Sequence, residues 1–103
     1  MTTKEVLIAA RKLIEDPKHW TQGWFARNAA GEKVPVISPD ACKFCAIGAL
    51  DRVERNTPVA FSAHRALCSA LESPCDPVSQ LNDCEGHVAV LALYDKAIAS
   101  CVD

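Results

Sequence analysis

Residues 41–50, ACKFCAIGAL, carry a single charge in ten positions, at Lys43. A stretch this apolar has no wet face, so other parts of the chain must cover it on most sides. It is far short of the ~20 residues of a membrane span. A chain of 103 residues has material for one such core, so residues 1–103 are expected to form a single domain around this segment. The surrounding pattern, SPDACKFCAIGALDRVERN, predicts a central helix capped by Ser38 with Pro39 as its first residue. Gly48 costs such a helix about 1 kcal/mol relative to Ala. Its place between Ala46 and Ala49 points to a close approach by another element.

Three further helices are expected. TTKEVLIAARKLIEDP has Thr2 and Glu5 at capping-box spacing, an apolar face of Val6, Ala10, Leu13 and Ile14 with Leu7 beside them, and a stop at Pro17. It is placed at residues 3–16. TPVAFSAHRALCSALES repeats the cap-proline entry with Thr57 and Pro58, and Ala60, Ala63, Leu67 and Leu71 supply its stripe. After a loop marked by Pro74 and Pro77, a last helix opens at Asn82 as cap, with Glu85 three residues on. On it, Glu85, Ala89, Ala92, Lys96, Ala99 and Asp103 make a wet face, and His87, Leu91, Tyr94, Ile98 and Cys101 an inward one. Between the first two helices, WFARN and KVPVI flank AAGE, whose Gly31 suits a turn. Together they read as a short β-hairpin, with Pro35 confining its second strand to an edge. The expected fold is mostly α, a small bundle of about four helices with a hairpin between helices 1 and 2.

Charge excludes some functions. The net charge is -2, with eleven Lys and Arg scattered among thirteen acids, so no basic stripe indicates a nucleic-acid partner. Arg11 and Lys12 fall where the apolar region of a signal peptide would continue, and a cytoplasmic location is expected. There thiols stay reduced, so six cysteines do not imply three disulfides.

The cysteines admit three readings. In the first they pack as small hydrophobes beside Ala, Leu and Phe. In the second, Cys42-x-x-Cys45 and Cys84-x-x-His87 each share a helix face and together hold a structural zinc, the one cofactor the pattern would accommodate. Against it, zinc-binding Cys-x-x-Cys turns usually carry Gly or Pro, whereas CKFCAIG reads as helix interior. In the third, Cys45 is a nucleophile, His87 its base and Asp83 or Asn82 the orienting group of a small hydrolase or transferase. A helix beginning at Pro39 would place Cys45 two turns in, too deep for the helix terminus to activate it. Apart from the thiols, HWTQGW gathers Trp20, Gln22 and Trp24 at the hairpin's entrance. With Asn82 they are the candidate binding residues. His64 is expected to be structural and half-buried, and His19 exposed.

Taken in order, Trp20-x-x-Gly23, the hairpin with Gly31, CAIGAL and the Asn-Asp before the final helix resemble a family of short bacterial and phage proteins of unknown function. Its pattern falls on Trp20, Gly23, Cys45, Ala46, Gly48, Ala49, Asn82 and Asp83. Cys42, Cys68, Cys75, Cys84 and Cys101 lie outside it. The resemblance implies a fold and no activity, and it favours a site around Cys45, Asn82, Asp83 and His87 over the zinc reading. Small size, mild charge and no catalytic signature point to a protein-binding or regulatory module of bacterial or phage origin. Inhibition of a host or defence factor would be one concrete form. The alternatives are the thiol enzyme and the zinc module.

Overall fold

The computed structural model describes residues 2–71 and 78–101. The expected loop with Pro74 and Pro77, Cys75, and the end of the expected wet face at Asp103 lie outside them. The first helix, α1 (Thr3–Ile14), opens as its sequence predicts. The Thr2 hydroxyl accepts from the Glu5 N–H at 3.2 Å, and the Glu5 carboxylate accepts from the Thr2 N–H at 2.9 Å. Val6, Leu7, Ala10 and Ile14 are buried. A single 3-10 turn, Pro17–His19, capped by Asp16, then sends the chain into an extended loop.

Two short strands follow. In β1 (Ala26–Arg27) and β2 (Lys43–Phe44) Ala26 pairs with Phe44 and Arg27 with Lys43, antiparallel. The hairpin expected between helices 1 and 2 is present in reduced form: Arg27 bridges Lys33, the Val34 N–H donates to the Ala26 carbonyl, and Gly31 turns the chain at φ +82°. What the periodicity misplaced is the second partner. Lys43 and Phe44, expected in a helix, form a strand, because β1 offers unpaired backbone on its other side and the Arg27 carbonyl takes the Cys42 N–H. Long-range pairing overrides local propensity here. Helix α2 therefore runs Ala46–Val53, about two turns later than a start at Pro39.

Helix α3 (Pro58–Ala70) has the predicted Thr57 cap, whose hydroxyl accepts from the Ala60 N–H, and buries Ala60, Ala63, Leu67 and Ala70. The expected last helix is two. Helix α4 (Val78–Glu85) contains Asn82 rather than being capped by it, and Gly86, at φ +94°, breaks the chain before α5 (His87–Ser100). On α5 the buried residues are Val90, Leu93, Tyr94 and Ala97, with Leu91 and Ile98 at the edge. The inward face is therefore turned from the expected one. Five α-helices are present among the described residues, with α1 packed on α2, α3 and α5, and α4 on α2 and α5.

The close approach expected at Gly48 is that of the β1 entrance. A Cβ built there would lie 1.9 Å from the Phe25 carbonyl oxygen and 2.8 Å from its carbon. Both are backbone atoms held by the bond from the Cys45 N–H, so they cannot swing away. Gly48→Ala should cost at least about 2–3 kcal/mol by overpacking, despite the better helix propensity of Ala. Urea denaturation checks this: a variant as stable as the parent would mean that the Phe25 backbone is free to move.

Candidate functional site

The loop Trp20–Phe25 crosses the start of α2 and is held by α4. Asn82, with no solvent exposure, is the centre of that contact. Its Oδ1 accepts from the Trp20 indole N–H at 2.7 Å and from the Ala46 N–H at 3.0 Å. Its Nδ2 donates to the Thr21 carbonyl at 3.0 Å and to Asp83 Oδ1 at 3.1 Å. An amide side chain has two donor hydrogens and two acceptor lone pairs, so its capacity is filled. Gln22 Nε2 donates to the main-chain carbonyls of both Asn82 and Asp83 at 3.0 Å, and Asp83 Oδ1 also accepts from the Gly23 N–H at 3.0 Å. Gly23 has φ +80°, where a side chain would be strained.

The same Asn82 starts α2. The first turn of a helix leaves backbone N–H groups without partners. Asn82 Oδ1 takes that of Ala46, and the Cys45 thiol, as N-cap, takes that of Gly48 at 3.3 Å. Cys45 is thus at the helix terminus rather than two turns inside. Tyr94, fully buried on α5, donates its hydroxyl to the Ala46 carbonyl at 2.6 Å and fixes this terminus from behind.

Between loop and α4 lies a pocket of about 240 Å³. Gly23, Trp24 and Phe25 line one side, Ser79, Asn82 and Asp83 the other, and Cys45 is at its base. Trp24 and Phe25 are 43% and 45% exposed, and their rings lie 5.8 Å apart. Lys33 Nζ sits 4.8 Å from the Trp24 ring centre. Cys45 is 5% exposed. Burial pushes its thiol pKa up, the N–H groups of Gly48 and Ile47 pull it partly back, and the Asp83 charge raises it again. The sulfur is held as a neutral thiol, not as the thiolate that attack requires.

The structure brings together Trp20, Gln22, Trp24, Cys45, Asn82 and Asp83 of the sequence candidates. His87 is placed elsewhere, half-buried at the start of α5. Its Nε2–H donates to the Ile14 carbonyl at 2.6 Å, at the C-terminal end of α1, and its ring stacks obliquely on Trp20 at 5.4 Å. Because a carbonyl only accepts, Nε2 carries a proton and is not available as a base. Among the described residues no hydrogen bond joins His87 to Cys45. Cys84 is exposed on α4 and Cys42 half-buried before β2. Among the described residues no group of three or more His, Cys, Asp and Glu is placed to hold a metal ion. His64, half-buried, meets Asp51 at 3.1 Å, and the exposed His19 donates from Nδ1 to the Cys42 carbonyl.

Phe25 and Ser79 were not among the residues singled out in the sequence. Nothing in the local pattern of either marks a pocket. Nor does the sequence mark Cys45 as a cap, because cysteine is not among the usual capping residues and the helix start it caps is set by distant partners.

A small mostly helical fold, with a loop pinned across a helix terminus by a buried Asn-Asp pair, is the class of protein these features define. The chain belongs to the family of unknown function DUF6197, whose profile matches residues 1–100. No curated protein and no solved structure matches it.

The raised pKa values of Cys45 and Tyr94 carry a stability consequence. Above about pH 8.5 an unfolded thiol ionises while the folded one keeps its proton. Stability is therefore full below that pH and falls as pH rises toward the folded-state value, with Tyr94 adding to the fall above about pH 10. Cys45→Ala should lose about 1 kcal/mol at pH 7, from the missing cap, yet show a shallower decline between pH 8.5 and 10. Urea unfolding at pH 7 and 9.5 measures both, and an unchanged alkaline slope would mean that Cys45 is not the group responsible.

Proposed function

We propose that the protein is a protein-binding module that engages its partner through the Trp20–Phe25 loop and the pocket beside it. The observation that carries this reading is the contrast within one loop. Its first half, Trp20 to Gly23, is fixed by hydrogen bonds to Asn82 and Asp83, while Trp24 and Phe25 stand nearly half exposed next to a pocket. Aromatic side chains held out from a fixed backbone lose little freedom on binding, and they are over-represented among interface hot spots. The pocket is smaller than the roughly 300–1,000 Å³ usual for sites that enclose small molecules, a size suited to one side chain of a partner.

The state of Cys45 also supports a binding role over a thiol enzyme. Its sulfur is spent as a helix cap, its proton is retained, and His87 is engaged with Ile14. The bacterial or phage setting belongs to the same proposal, drawn from the order of sequence motifs. There, occlusion of a host factor is the form a small binding module would take.

The double variant Trp24→Ala, Phe25→Ala tests the reading. Both side chains are exposed, so its melting temperature should stay within a few degrees of the parent's. Proteins enriched on the immobilised parent, identified by mass spectrometry, should be weakened at least about tenfold on the variant. An identical set captured by both proteins would contradict the proposal.

A further inference from the structure

The chemistry of the pocket specifies what enters it. Resting on the binding role just proposed, we infer that the pocket receives a lysine side chain of the partner protein, its ammonium group on Asp83 Oδ2 and its alkyl stem along Trp24 and Phe25. Among the described residues that line the pocket Asp83 alone is formally charged, so its wall sets a negative charge opposite the aromatic side formed by Trp24 and Phe25. That charge reaches the base of the pocket, where it acts on the Cys45 thiol. Such a site complements an amphipathic cation, in which an apolar stem ends in a charged head.

The hydrogen bonds of Asp83 choose between lysine and arginine. Oδ1 already accepts from the Gly23 N–H and from Asn82 Nδ2, which uses both of its lone pairs. Oδ2 makes no hydrogen bond among the described residues, and Asp83 is an exposed residue. A guanidinium gains its advantage by bridging both oxygens of a carboxylate in parallel. With one oxygen committed, that fork has nothing to close on, whereas a compact ammonium needs a single acceptor. Trp24 already holds the Lys33 ammonium over its ring, so the incoming charge relies on Asp83 and its stem on the aromatic surface.

The test titrates the full chain with acetyl-Gly-Lys-Gly-amide, following the Trp24 indole N–H resonance and backbone amide shifts of Gly23 and Asp83. Parallel titrations use the norleucine and arginine peptides and free n-butylamine. Asp83→Asn keeps an oxygen for the Gly23 N–H while removing the charge, and unchanged far-UV dichroism verifies that it folds. The lysine peptide should bind in the millimolar range, about fivefold more tightly than the norleucine or arginine peptide, and Asp83→Asn should abolish that difference. Equal binding of the lysine and norleucine peptides, preference for arginine, or a lysine preference that survives Asp83→Asn would overturn the inference. Butylamine, which has the same stem and head, should compete with the lysine peptide for the site, and failure to compete would overturn the assignment of these contacts to the lysine side chain. If Trp24→Ala, Phe25→Ala loses captured proteins while lysine shows no preference, the binding role stands and this inference alone fails.

Discussion

The side-chain amide of Asn82 has no contact with solvent and makes four hydrogen bonds, to Trp20, Thr21, Ala46 and Asp83. Each such bond contributes about 1 kcal/mol net, but a buried partner left without one costs about 1–3 kcal/mol. The constraint is therefore asymmetric. An apolar residue at position 82 would orphan an indole N–H, a helix-terminal N–H and a carbonyl together. Aspartate would keep the acceptors and lose both donors, while burying a charge. Only a primary amide of this length offers two donors and two acceptors at this point. One side chain thus decides both where α2 begins and where the loop Trp20–Phe25 lies.

The packing follows from that decision. With Ala46 N–H bound to Asn82 and Gly48 N–H to the Cys45 sulfur, α2 can start directly after β2, without a Ser or Thr cap. The loop then runs so close to the helix that the Phe25 carbonyl occupies the space of a Gly48 side chain. Tyr94 closes the far side on the Ala46 carbonyl. The exposed Trp24 and Phe25 are the end of this chain of contacts: what is fixed behind them lets them stand out in front. The proposed binding surface is then a consequence of how the helix is begun.

Local signals were legible wherever the cause is local. Thr2 with Glu5, and Thr57 with Pro58, mark helix starts in the sequence because each cap bonds within three residues. Gly48 was readable as a close approach, though not what approaches it. Lys43 and Phe44 looked helical because their strand partner is Arg27 and Ala26, sixteen or more residues away in the chain. Asn82 looked like a cap for the same reason: its partners are at positions 20, 21 and 46, and a buried asparagine and a capping asparagine have the same sequence. Of the candidate site, the residue types around the pocket were mostly visible, at Trp20, Gln22, Trp24, Cys45, Asn82 and Asp83. Their arrangement was not, and neither was the commitment of His87 to the Ile14 carbonyl across 73 residues.

The two tryptophans provide a direct test of the Asn82 lock, because each indole N–H gives its own proton resonance. Hydrogen exchange of both can be followed in one sample under native conditions. The Trp20 N–H, half-buried and bonded to Asn82 Oδ1, should exchange only through opening of the loop from α4, orders of magnitude more slowly than the Trp24 N–H on the exposed half. Exchange of the two at similar rates would mean that Asn82 does not hold the loop, and the account of the pocket built on it would fall.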